Sequence, residues 1–473
     1  MNIQTVENVK QYYNFTAQKR EWFRKINWYY HDDLRKYYRY LIPEAQNVLE
    51  IGCGTGDLLA SLKPKKGVGI DISEKMIRIA REKFPKIKFL VMNAEKMSIE
   101  EKFDYIIISG TVGDLEDVQN FFKSIRSFAH GRTRIIIDHY NHLWQPILRL
   151  GEVLGLKTPQ VYKNWLPTDE IKNLLYLSNF QMIKEHNRML FPIYIPLFST
   201  LINTFIAKMP LIKNICLNRF VIVKPLDQRS LNKERSVSII IPARNEKGTI
   251  GKIVSEIPVI GKKTEIIFIE GHSIDGTRQE IKQIINKYKS KDIRLILQEK
   301  KSGKADAVHL GFAAAKGEIL IIFDADLSVP IKDIKKFYEA LISQKGEFVS
   351  GSRLIYPMEK KSMRLLNLIG NIIFGKIFTW LLEHHVTDTL CGTKAIWKKD
   401  YRRIRKTIKS FGDFDPFGDF ELLFAASRMN LKHIEIPIRY KARIYGKSNI
   451  HRWRHFLLLL RMCWIAFWRF KII

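Results

Sequence analysis

Acidic residues are scarce in this sequence: 48 Asp+Glu stand against 79 Lys+Arg in 473 residues, a formal net charge of +31. That imbalance implies an anionic partner, whether nucleic acid, an acidic lipid surface or phosphorylated substrates. Cysteine is rare too. Cys53, Cys216, Cys391 and Cys463 are scattered without Cys-x-x-Cys or Cys/His ligand spacing, which argues against a disulfide framework or a structural zinc and fits reduced thiols. The first residues, MNIQTVENVKQYYNF, lack the apolar run of a signal peptide. No stretch reads as a clean spanning helix of ~20 apolar residues. Met189–Ala207 is uncharged, but Pro192 and Pro196 would break an early spanning helix, leaving either an interfacial segment or a buried helical insert. With 46% hydrophobic and 27% charged residues, collagen-like and disordered classes are excluded.

What is present is chain enough for two cores, since one core stops growing at ~250–300 residues. Two strand–helix series run along the sequence. Apolar strands are expected at Val48–Ile51, Val68–Ile70, Phe89–Met92, Tyr105–Ile108, Ile135–Ile137 and Phe220–Val223, then at Val237–Ile241, Glu265–Ile269, Arg294–Leu297, Ile319–Phe323 and Phe348–Ser350. Buried runs alternating with helices predict parallel sheets covered on both faces, hence two α/β domains in tandem. The polar stretch Leu226–Arg235 reads as the linker. The expected division is 1–225, a linker at 226–235, 236–450, and a tail at 451–473. Through Ser230 there are 34 basic and 23 acidic residues; from Ile438 to Ile473 there are nine Lys/Arg and no acid.

In the first series, Asn47–Gly56 (NVLEIGCGTG) is a strand running into a Gly-x-Gly-x-Gly turn. Gly52, Gly54 and Gly56 let the backbone approach a ligand, and Asp71 closes the second strand, where doubly wound folds place a carboxylate on ribose hydroxyls. The segment resembles class I S-adenosylmethionine-dependent methyltransferases, over roughly Val48–Ile137. The resemblance implies a Rossmann-like sheet. It also implies that Glu50 and Gly52 to Gly56 line the methionine and ribose end of S-adenosylmethionine, with Asp71 on the ribose, Asn93 and Ala94 beside adenine, and Ser109 near the methyl group. Methyl transfer depends chiefly on in-line positioning; His139 and His142, expected after the fifth strand, are either bases for a hydroxyl acceptor or ordinary loop residues, the second being the commoner case.

The second series has three polar loops at strand ends: Pro242-Ala-Arg-Asn-Glu246, Glu270-Gly-His-Ser273 and Asp324-Ala-Asp326. Two carboxylates at a strand end can ligate a divalent cation that neutralises a diphosphate. In order and spacing, Ser236–Asn449 resembles family-2 glycosyltransferases of the GT-A fold, and among them dolichyl- or polyprenyl-phosphate mannose synthases. The resemblance implies that Pro242, Ala243, Asn245, Glu246, Glu270, Lys304 and Asp324 bind a nucleotide-sugar, that Asp324 and Asp326 hold Mg or Mn, and that Arg353 and Ser448 bind the acceptor phosphate. Asp326, Asp419 and Arg443 would be the catalytic set. Glu270-Gly-His-Ser273 stands where the family has Asp-Asp-Gly-Ser, and Ser328 where the synthases have Gln.

Met363–Leu382 and the basic, tryptophan-bearing tail Arg452–Lys471 suggest contact with an anionic membrane surface. No nucleic-acid motif occurs. The expectation is therefore a bifunctional enzyme, cytoplasmic and peripheral on the inner face of the membrane. It would glycosylate a polyprenyl phosphate and transfer methyl groups from S-adenosylmethionine. The alternative is a transferase acting on hydroxyls of a cell-surface glycan, with Asp419 as base and the first domain a nucleoside-binding scaffold.

Overall fold

A computed structural model describes residues 6–158, 164–227, 231–299, 303–356, 365–411, 418–441, 445 and 452–472. The chain divides into two compact units, Met1–Asp227 together with Lys471–Ile473, and Gln228–Phe470.

The first unit is built on β1 (Asn47–Ile51), β2 (Lys66–Asp71), β3 (Lys88–Val91), β4 (Phe103–Ser109), β5 (Ala129–Tyr140), β6 (Phe180–Arg188) and β7 (Asn218–Pro225). Their order in the sheet is β3-β2-β1-β4-β5-β7-β6. β1 pairs parallel to both β2 and β4, so the order reverses between β1 and β4 and opens a crevice at their carboxyl ends. Ile106, Ile107 and Ile108 are wholly buried, as expected of a strand covered on both faces. Two helices, Val6–Ile26 and Trp28–Leu41, precede the sheet. From the second, Leu34, Tyr37, Tyr38 and Leu41 enter the core beside Val48 and Ile107.

The second unit repeats the plan with β8 (Val237–Ala243), β9 (Thr264–Glu270), β10 (Asp292–Leu297), β11 (Ile319–Ile322), β12 (Phe348–Ser352), β13 (Lys394–Trp397) and β14 (His433–Pro437). The order is β10-β9-β8-β11-β13-β12-β14, with β8 parallel to β9 and β11. Its switch point lies between β8 and β11. Each unit has its own apolar core.

The expectation of all-parallel sheets needs correction. β7 runs antiparallel to β5 and β6, and β13 antiparallel to β11 and β12, so both sheets are mixed. β6 (FQMIKEHNR) carries too many polar residues to read as a buried strand, and β13 is only four residues long. Among the described residues, no helix is long and apolar enough to cross a membrane.

Candidate functional sites

In the first unit the crevice is a cavity of about 520 Å³ whose walls include Glu50, Gly52, Asp71, Asn93, Ala94 and Ser109. Gly54 and Gly56 belong to the same turn without lining the cavity. Gly54 has φ +53°, and a Cβ there would stand 2.8 Å from the Arg20 guanidinium, so the turn needs glycine for both conformation and space. Its N–H donates to Asp71 Oδ2 at 2.8 Å, and the Ser73 N–H donates to Oδ1 at 2.9 Å. Burial nonetheless raises the Asp71 carboxyl above its ordinary value. Glu50, 3% exposed, accepts the Leu59 N–H at 3.0 Å, and burial pushes its carboxyl up to about 8. Asn93 Oδ1 accepts the Glu95 N–H at 2.9 Å, which fixes the turn after β3.

The helix Val6–Ile26 supplies a wall that the sequence reading missed. Tyr12, Tyr13, Arg20 and Arg24 all line the cavity. Tyr13 Oη donates to Asp114 at 2.7 Å, and Arg24 pairs with Asp57. His31, from the next helix, is held neutral: burial and then Arg24 and Arg20 lower it to about 3. Asp138 was missed as well. It lies near the end of β5, paired with Ser109, and accepts the Tyr38 hydroxyl at 2.5 Å, both side chains being buried. By contrast His139 is absent from the cavity wall. Its Nδ1 faces the Tyr140 carbonyl at 3.1 Å, and burial lowers it to about 4.

These residues fit S-adenosylmethionine. The volume lies within the ~300–1,000 Å³ of small-molecule sites. Buried carboxylates suit its cationic end and ribose diol, and Met92, Ala94 and Leu115 offer apolar walls to a flat base.

In the second unit β8 ends in Ala243, and Asn245 follows with φ +57°. Asn245 ties two loops together: its N–H donates to Ser273 Oγ at 3.0 Å and its Oδ1 accepts the Ile274 N–H at 2.9 Å. The Glu246 N–H donates to Thr277 Oγ1 at 2.9 Å, and Glu270 accepts the Ser273 N–H at 2.5 Å. Both carboxylates are 6% exposed. Pro242 is the penultimate residue of β8, paired with Ile269.

Lys304 opens the helix Lys304–Ala314 and reaches Asp324, just past β11, at 2.5 Å. Burial alone would raise the Asp324 carboxyl; Lys304, with Lys394 and Arg353, holds it below the ordinary value. A Cβ at position 392 would collide with both Asp324 and Lys304, so Gly392 is what lets the backbone pass this pair. Asp326 Oδ1 accepts the Ser328 N–H at 3.0 Å and hydroxyl at 2.7 Å.

Among the described residues no three His, Cys, Asp or Glu gather as a metal site. Asp324 and Asp326 suit a cation that arrives with a diphosphate, because Mg²⁺ commonly takes one or two carboxylates and completes its shell with phosphate and water. The Lys304 ammonium occupies one of those carboxylates.

The remaining sequence-predicted residues divide. Arg353, expected on a phosphate, turns to Asp388: Nε at 2.6 Å, Nη2 at 2.8 Å and its own N–H at 3.0 Å. Asn371 donates to the same carboxylate at 2.8 Å, and Tyr440 stacks beneath the guanidinium at 5.0 Å. Asp419 opens the helix Asp419–Arg428; its side chain lies outside the described residues, as do Arg443 and Ser448. Two residues along that helix, Glu421 bonds His309, whose Nδ1 faces the Tyr401 hydroxyl at 2.8 Å.

Comparison with known proteins gives two family matches: "Methyltransferase domain" over residues 42–183 and "Glycosyl transferase family 2" over residues 238–405. A dolichol-phosphate mannosyltransferase of Pyrococcus furiosus is 27% identical over 226 residues, 45% of this chain and 59% of that protein. A dolichyl-phosphate beta-glucosyltransferase of Dictyostelium discoideum is 26% identical over 220 residues, 43% of this chain and 66% of that protein. The chain thus spans under two thirds of either relative. The solved structure of a SAM-dependent methyltransferase from Thermotoga maritima, a possible histamine N-methyltransferase, is 15% identical with a TM-score of 0.37, covering 46% of this chain and 100% of that one.

Proposed function

We propose that this chain, a methyltransferase domain followed by a family 2 glycosyltransferase domain, moves a sugar from a nucleotide-sugar to a polyprenyl phosphate at a bilayer surface and transfers methyl groups from S-adenosylmethionine. The observation that carries the sugar-transfer reading is the convergence at the β8–β11 switch point of the loops tied by Asn245 with the Lys304–Asp324 pair. Both relatives described above are dolichyl-phosphate glycosyltransferases by name, one for mannose and one for glucose, so the acceptor class is better supported than the sugar.

In this reading Asn245, Glu246 and Glu270 hold the nucleotide, with Pro242 and Ala243 forming the floor. Lys304 neutralises the donor phosphates, and a divalent cation bound at Asp324 and Asp326 would supply further charge neutralisation. Arg443 and Ser448 grip the acceptor phosphate, while Arg353 acts through Asp388 to fix the end of β12. A phosphate monoester, with second pKa ~6, is already ionised at neutral pH. Its oxygen attacks the anomeric carbon without a base, inverting it as the nucleoside diphosphate leaves. The catalytic demand is positioning and charge.

The membrane side rests on two helices that pack together. Arg452–Ala466 buries Leu459 and Met462 and exposes Leu457, Leu460 and Trp464, with Trp468 beyond it; Leu365–Leu382 exposes Ile369, Ile372 and Ile373. Apolar side chains beside Arg461 and Arg469 suit the inner face of a cytoplasmic membrane, where such an enzyme would build lipid-linked precursors of cell-envelope glycans.

In the first unit Asp71 and Glu50 hold the ligand, and Asp138, fixed by Tyr38, faces the acceptor. The test combines calorimetry with turnover. Full-length protein should bind S-adenosylmethionine, and should release nucleoside diphosphate from a nucleotide-sugar only when polyprenyl phosphate is present. Binding of S-adenosylmethionine with no methyl acceptor found among lipid and glycan extracts would favour the scaffold reading of the first domain. Absence of binding would refute the methyl-transfer reading.

A further inference from the structure

Six large apolar side chains between residues 143 and 156, and eleven between 193 and 215, are exposed in the first unit. Scattered exposed hydrophobics are normal, but this many within two short segments is the density of an interaction surface. Leu197 is 80% exposed, Val153 84% and Leu211 90%.

The segments are not loose. Asn203 accepts the N–H groups of Leu190 and Phe191 at 2.8 and 3.0 Å, and its own amide donates to the Phe191 carbonyl at 2.7 Å. Asn141 donates to the carbonyls of Asn214 and Cys216, Trp144 to that of Ile215, and Asn27 to that of Leu156. Trp28 and Tyr194 meet with ring centroids 4.9 Å apart. Polar side chains therefore spend their hydrogen bonds holding the backbone, while apolar ones stay exposed on two segments that Asn141 and Trp144 tie together.

That surface opens into the cavity. Ile147, Leu150, Leu154 and Ile193 line it, and each is also more than half exposed. Charge decides the occupant. From Met189 to Leu217 there is no acid, and Lys213 is half-buried while Lys208 is buried; between 141 and 158 the one acid, Glu152, is neutralised by Lys157 at 2.6 Å, which leaves Arg149 as an exposed cation. A second copy would bring cation against cation, whereas an anionic bilayer matches both the apolar area and the charge.

We propose that this face of the methyltransferase unit docks on an anionic bilayer, with the cavity mouth open to the lipid. This rests on the methyl-transfer reading only in naming the mouth as the acceptor's route, and it makes that acceptor an amphiphile whose reactive group enters while its apolar body stays in the membrane.

The test is depth-dependent quenching in the full chain. With Cys463→Ser as background, where Cys53, Cys216 and Cys391 are buried, an environment-sensitive fluorophore is attached to Leu197→Cys, to Leu211→Cys or to Lys65→Cys. Lys65 is exposed at the opposite, amino-terminal edge of the sheet. Vesicles of phosphatidylcholine and phosphatidylglycerol with brominated acyl chains should quench the probes at 197 and 211 several-fold more than the probe at 65. The Leu197→Glu/Leu211→Glu variant should weaken vesicle binding several-fold, the remainder being held by the second unit's helices, yet keep its affinity for S-adenosylmethionine, since neither residue lines the cavity. Equal quenching at all three positions, no vesicle binding, or a vesicle-free dimer that shields 197 and 211 would each overturn the proposal. No S-adenosylmethionine is needed for the quenching, so its failure is separable from failure of the methyl-transfer reading.

Discussion

Replacing Asp388 with Asn should damage the second unit far more than an ordinary carboxylate-to-amide change. Arg353 and Asp388 are 12% and 0% exposed at their side chains, so the variant strands a buried guanidinium. Breaking one side of a buried ion pair typically destabilises by about 3–5 kcal/mol. The titration agrees in direction. Burial opposes ionisation of Asp388, yet Arg353 and then Asn371 hold its carboxyl down at about 2 from an ordinary 3.8. That depression corresponds to about 2–3 kcal/mol, present above the unfolded-state pKa and lost as pH falls from ~4 through 2. Because each unit has its own apolar core, one global melting temperature is the wrong readout. Hydrogen exchange resolved to peptides is suitable. In Asp388→Asn at neutral pH, protection of β12 and β13 should fall by roughly 10²–10⁴-fold, while β1 and β4 keep theirs. Arg353→Met/Asp388→Leu, which removes both charges, should lose much less. A fall below tenfold in Asp388→Asn, or equal losses in both variants, would refute the reasoning.

Glu50 gives the opposite pH behaviour. With a folded carboxyl near 8, it is mostly protonated at pH 7, so its contribution to stability declines as pH rises from ~4.5 through 8, and Glu50→Gln should flatten that slope. If the cationic end of S-adenosylmethionine lies against it, binding at pH 7 should release a proton, seen as a buffer-dependent enthalpy in calorimetry; a buffer-independent enthalpy would contradict this placement. Arg20→Ala should weaken S-adenosylmethionine binding roughly 10–100-fold, the worth of a hydrogen bond to a charged group at ~1.5–3 kcal/mol, with exchange protection of β1 unchanged. Asp326→Ala should abolish the part of nucleotide-sugar binding that EDTA removes, read by titration with and without MnCl₂; unchanged metal dependence would remove Asp326 from that role.

Contiguous signals were legible in the sequence. Strand, glycine turn and helix lie together around Gly52 and Gly56, and Asp71 follows at a fixed offset because β2 pairs directly with β1. The loops of Asn245, Glu270 and Asp324 were legible for the same reason. What failed needed long-range pairing. The antiparallel direction of β7 depends on connections that periodicity does not encode, and polar β6 is stabilised by its neighbour rather than by its own pattern. Arg353 reads as a phosphate ligand until Asp388, 35 residues on, is seen beside it. Arg20 and Tyr13 enter the cavity only because their helix packs against the Gly54 turn and the helix Glu74–Lys83, and the apolar stretch from Met189 resolves toward exposure once Asn203 and Asn141 are seen to tie down its backbone.

Sugar transfer to a lipid phosphate without a general base leaves its mark in the chemical identity of the product. Purified full-length protein, a nucleotide-sugar labelled in the sugar, polyprenyl phosphate and soluble glycans compete in one reaction, analysed by mass spectrometry. Label should appear in an organic-phase polyprenyl phosphosugar that mild acid cleaves, formed by wild type and, at reduced rate, by Asp419→Asn. Label found only in acid-stable glycosides of the soluble glycans, and lost entirely in Asp419→Asn, would contradict it.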